Sequence, residues 1–112
     1  MQPEVLKYLL DIESIIGEIE SLKQRVENSY AQFSKDILLQ RAVERDLEII
    51  GEAVRRLLAI RPEIKISAAK KIIGLRNIIS HAYDSVEPEL IWSIIQRDIP
   101  VLSTEIQTIL KG

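Results

Sequence analysis

"SKDILLQRAVERDLEIIGEAVRRLLAIRP", residues 34–62, decides the architecture. Leu39, Val43, Leu47, Ile50, Val54 and Leu57 recur at steps of three and four, which places them in one apolar stripe along a helix. Ser34 reads as the N-cap, with Asp36 in the first turn. Pro62 cannot extend the helix and disfavours helical geometry in the residue before it, so the helix should end near Arg61. A stripe of this length needs other helices to cover it.

Those helices are legible on both sides. Upstream, Val5, Leu9, Ile12, Ile16, Ile19 and Leu22 form a second stripe of the same period, which "NSYAQFS" then breaks. Downstream, Ser67 reads as the cap of a third helix, "AAKKIIGLRNIISHAY". "DSVEPE" is a connector, and Pro88 suits the first turn of a fourth helix running to about Leu110, with Pro100 expected to kink or interrupt it. No repeat or linker divides the chain. The expectation is one all-α domain over residues 1–112, a small up-down bundle of four to five helices.

Composition narrows the chemistry. Hydrophobic residues make up 46% of the 112, enough for a core without staples. The absence of cysteine removes disulfides and thiolate chemistry, and a single histidine rules out a multi-histidine metal site within one chain. We therefore expect neither metal nor cofactor. "MQPEVLKYLLDIE" lacks the pattern of a signal peptide, and no apolar run approaches a membrane span, so a cytoplasmic protein is expected.

The third helix has two contrasting faces. At about 100° per residue, Ala68, Ile72, Leu75, Ile79 and Ala82 gather on a core side. Lys70, Gly74, Asn77 and His81 gather on roughly the opposite side, with Ile73 bordering them as an outward-facing apolar residue. A glycine beside an exposed isoleucine suggests that a second backbone, such as another subunit, comes close there. The segment from Ile64 to Tyr83 holds four basic residues and no acidic one, in a chain of net charge -2. Such a segment attracts phosphate. A solvated lysine coat is the plainer reading of the same pattern.

One imidazole can act as a general base or acid near neutrality, and a guanidinium offers fixed donors matched to phosphate oxygens. RNA brings its own nucleophile, the 2′-hydroxyl, so a base and a cation would suffice for cleavage. Arg76 and His81, five residues apart, lie about 140° apart on a regular helix. A site using both requires either a distorted helix end or two copies meeting across a two-fold axis.

"GLRNIISHAY", followed by "VEPELIW" and "DIPVL", resembles the HepT-like branch of the HEPN superfamily, whose hallmark R-x-x-x-x-H-x-Y reads here as Arg76, His81 and Tyr83. "AVERDLEIIGEAVRRL" resembles that family's second long helix, so the likeness covers most of the chain. The loop "RPEIKISAAKKIIG" departs from the proline- and tryptophan-containing pattern of many relatives. The resemblance implies a HEPN-like helical homodimer acting as a metal-independent endoribonuclease toxin. Its partner would be an MntA-like nucleotidyltransferase antitoxin, and its substrate RNA. Arg76 and His81 would be catalytic, Asn77 and Lys70 would support RNA binding, and Tyr83 would accept AMP from the antitoxin. The competing expectation is a non-catalytic helical module that binds a nucleotidyltransferase or a nucleotide.

Overall fold

A computed structural model describes residues 1–81 and 87–112, apart from the side chains of Arg76, Ser80 and His81. Its elements are α1 (Pro3–Arg25), α2 (Tyr30–Phe33), α3 (Ile37–Ile60), α4 (Ala69–His81), α5 (Pro88–Ser93), a π-helical stretch (Ile94–Asp98) and α6 (Ile99–Lys111). Among the described residues there is no strand. The long helices α1 and α3 pack against each other, α4 covers another side of α3, and α6 lies against α1. The all-α bundle expected from the periodicity is what forms.

The core follows the predicted stripes. All six expected positions of α3 are buried, as are Val5, Leu9, Ile12, Ile16 and Ile19 of α1. Ile91, Ile94, Ile95, Ile99, Leu102 and Ile106 close the bundle from the last segment. Fully burying a side chain of this size contributes about 1.5–3 kcal/mol, so the stripes hold the helices together.

Leu22 departs from its stripe. It is only half-buried, and Lys23 is buried in its neighbourhood. Lys23 Nζ lies 3.5 Å from the carbonyl oxygen of Ile95 and 3.4 Å from Glu20 Oε1. The reason lies in the last helix. Ile99 N–H bonds to Ile94 O, a step of five residues, so the chain is in π register there. The next donor in that register would be the nitrogen of Pro100, which has no hydrogen. Ile95 O is left without its helical partner, and the Lys23 ammonium reaches it. Pro100 thus neither breaks nor sharply ends the helix; a π stretch absorbs it.

The turn after α1 is a Schellman motif. Asn28 N–H bonds to Lys23 O and Glu27 N–H to Gln24 O, with Glu27 at φ 53° where glycine is usual. The expected cap at Ser34 is incorrect. Ser29 Oγ accepts from Gln32 N–H and starts the extra turn α2. Phe33 then drops into the core beside Trp92, ring centroids 4.9 Å apart. Ser34 closes that turn by donating to Ala31 O, and Asp36 Oδ1 caps α3 by accepting from Leu39 N–H at 3.0 Å. Ser67 is likewise not the cap residue of its helix, which begins at Ala69. Its N–H and hydroxyl both donate to Glu105 of α6, and with buried Ile66 this anchors the departing loop.

Candidate functional site on helix α4

Helix α4 carries Lys70, Arg76, Asn77 and His81. It forms because the apolar residues Ile72 and Leu75 sit one turn apart and are buried against the bundle, while Ala68, Ile73 and Ile79 pack at its edge. Two interactions fix it to the last segment. Lys71 Nζ lies 2.9 Å from Asp98 Oδ2, and the Ser67–Glu105 hydrogen bonds hold the approach to the helix. These pin the N-terminal half of α4 against the π stretch and α6.

Lys70 and Asn77 are exposed, and Gly74 lies between them. A Cβ added at Gly74 would meet nothing within 4 Å. No packing among the described residues accounts for the glycine, although it costs the helix roughly 1 kcal/mol relative to alanine. The bordering apolar residue is not Ile73, as expected from the wheel. Ile73 is half-buried against the core, and Ile78 is the one left 54% exposed. Ile73 is covered by the core it packs against, a tertiary contact that a wheel does not carry.

Arg76 and His81 both fall within the continuous helix, which runs through His81. The helix does not distort between them, so their positions are separated by about 140° of rotation and about 7.5 Å of rise. Their side chains lie outside the described residues, as do Ala82 and Tyr83 entirely. Among the described residues, no three carboxylate or imidazole groups cluster as a metal-binding set. No helix among them is long and apolar enough to cross a membrane.

Two features elsewhere went unread in the sequence. Tyr30, Phe33 and Trp92 form an aromatic corner that joins α2 to α5, the Tyr30 and Trp92 rings 6.0 Å apart. Sequence gave no sign that Trp92 and Phe33 meet, because they are far apart along the chain. The second is Asp46, a buried carboxyl on α3. Burial, reinforced by the charge of Glu18 across on α1 and opposed by Arg45, pushes its pKa up to about 6. It faces α1 rather than α4. An open groove between α1 and α3, floored by Ile15 and Ile49 and rimmed by Lys7, Asp11, Arg45 and Arg56, likewise takes no residue from α4.

Comparison with known proteins bears on this helix. The profile of the family described as "Ribonuclease HepT-like" matches residues 12–109. "Putative RNase TTE0752" of Caldanaerobacter subterraneus subsp. tengcongensis is 39% identical over 102 residues, covering 89% of this chain and 91% of that protein. "Putative RNase MJ1380" of Methanocaldococcus jannaschii is 30% identical, covering 95% and 96%. "Probable ribonuclease HepT" of Thermococcus cleftensis is 32% identical over 108 residues, covering 93% and 94%. No solved structure matches the chain.

Proposed function

The chain belongs to the HepT-like ribonuclease family, and from that premise we propose that it is a metal-independent endoribonuclease using Arg76 and His81. The observation that carries this reading is the R-x-x-x-x-H-x-Y motif, whose arginine and histidine lie on α4, within a chain whose family match spans nearly its full length. In the proposed reaction, an imidazole takes the proton of an RNA 2′-hydroxyl, whose oxygen attacks the adjacent phosphorus. The 5′-oxygen leaves and receives a proton from a general acid, giving a 2′,3′-cyclic phosphate and a 5′-hydroxyl. The guanidinium stabilises the charge gathering on the phosphorane oxygens. Lys70 and Asn77 help to hold the strand.

The regular helix between Arg76 and His81 favours a composite site. Two chains related by a two-fold axis, crossing near Gly74, bring the arginine of one toward the histidine of the other. The empty space at Gly74 and the exposed Ile78 support a crossing there. Two histidines can then divide the base and acid roles.

In this reading the protein is a toxin. A nucleotidyltransferase antitoxin silences it by transferring AMP from ATP to the Tyr83 hydroxyl, with pyrophosphate leaving. The added phosphate opposes RNA by charge and the nucleoside by bulk.

The test is RNA digestion by purified protein in excess chelator, with analysis of product ends. Cleavage with cyclic phosphate ends is expected. Activity that vanishes in chelator and returns with a divalent ion contradicts the metal-free mechanism. Treatment with the nucleotidyltransferase and ATP should add adenylate mass to the peptide holding Tyr83, and Tyr83→Phe should escape neutralisation. Adenylate on another peptide overturns the switch.

A further inference from the structure

The basic residues around α4 are not equivalent. Lys71 is neutralised by Asp98, whereas Lys65 and Lys70 are exposed and have no acidic partner among the described residues. Glu63, two residues before Lys65, pairs with Arg61, and Glu105 is engaged by the Ser67 N–H and hydroxyl. Exposed cations without acidic partners among the described residues therefore stand at the start of α4.

We propose that Lys65 and Lys70 form a phosphate-binding tract that grips single-stranded RNA on one side of the scissile phosphate only. The inference rests on the ribonuclease reading above and deepens it. Lys70 precedes His81 by eleven residues, about 16 Å of helical rise, which a few nucleotides span. The two halves of a substrate therefore contribute unequally to binding, and the tract adds affinity that is the same in ground and transition states.

The test uses the full chain and synthetic RNAs with one cleavable linkage, lengthened stepwise on either the 5′ or the 3′ side. For wild type, KM should fall several-fold as one side is lengthened and stay level as the other is. The Lys65→Ala/Lys70→Ala double variant should lose that benefit, with a several-fold higher KM and little change in kcat. Its binding should also lose salt dependence, by about 0.7 in the log–log slope per lysine removed. Lys111→Ala, at the far end of α6, should match wild type. Equal benefit from both sides, or a double variant that keeps the wild-type benefit, overturns the tract while leaving the ribonuclease reading in place. A protein that cuts no RNA at all overturns both.

Discussion

Helices α3 and α4 pack side by side, yet they use their residues in opposite ways. Along α3 the apolar stripe is buried from end to end, while Ile37 and Leu38 in its first turn stand exposed. Asp36 caps its start, and Glu52 pairs with Arg55 and Arg56 on its outer surface. Along α4 only Ile72 and Leu75 are fully buried among the described side chains, and the outward face carries a glycine with nothing beside it. The stripe of α3 is accounted for by the fold. Helix α4 leaves Lys70 and Ile78 exposed and its glycine in open space, the features that the proposed second chain would cover.

That contrast predicts where substitutions act. The largest effect on stability is expected in α3. Leu47→Ala removes a fully buried side chain and should cost about 2–5 kcal/mol in denaturant unfolding. A loss under about 1 kcal/mol would mean that α3 is not the structural helix described here.

Asp46 should give the next effect, and it shows that even α3 has one misfit. Its folded pKa of about 6 lies above the ordinary carboxyl value of 3.8. Between those values the folded chain keeps a proton that the unfolded chain releases, so stability is highest below the window and falls as pH rises through it. The expected loss is at most about 3 kcal/mol across that range. Asp46→Asn should flatten this part of the pH–stability profile and raise stability at neutral pH. A variant with the same pH slope as wild type would place the proton uptake elsewhere.

The smallest effect on stability, and of opposite sign, is expected in α4. Gly74→Ala meets no atom of its own chain and should stabilise the isolated protomer by up to about 1 kcal/mol. The bulkier Gly74→Leu should weaken dimerisation in sedimentation if a second copy crosses there. Destabilisation of the protomer by alanine would reveal a packing role for the glycine within the chain.

The contrast also explains which features the sequence disclosed. Helices α1 and α3 were legible because burial on one side writes a period into the sequence, and six of six α3 positions follow it. Caps were less legible. Ser34 and Asp36 both suit an N-cap, and the choice was made by Phe33, which must reach Trp92 and needs an extra turn to do so. Pro100 announced a perturbation but not its form, because the π register depends on a lysine more than seventy residues away in the chain. Ile73 and Ile78 exchanged roles because burial on a short helix is decided by the core around it. The motif residues were legible for a different reason. Arg76, His81 and Tyr83 are recognised by spacing and type, and the continuous helix places the first two on one rod. Lys65 and Lys70 stood in the sequence as part of a charge count, and only the Lys71–Asp98 pair singled them out as the free ones.

The central claim is that α4 carries chemistry the fold does not require, and one paired measurement on His81→Ala tests it most directly. RNA cleavage and thermal unfolding should be followed on the same preparation beside wild type. The account predicts cleavage reduced by about 100-fold or more with the unfolding midpoint unchanged, because a general base is lost while the core is untouched. Full cleavage by the variant, or a loss of activity that merely tracks a fall in stability, would contradict it.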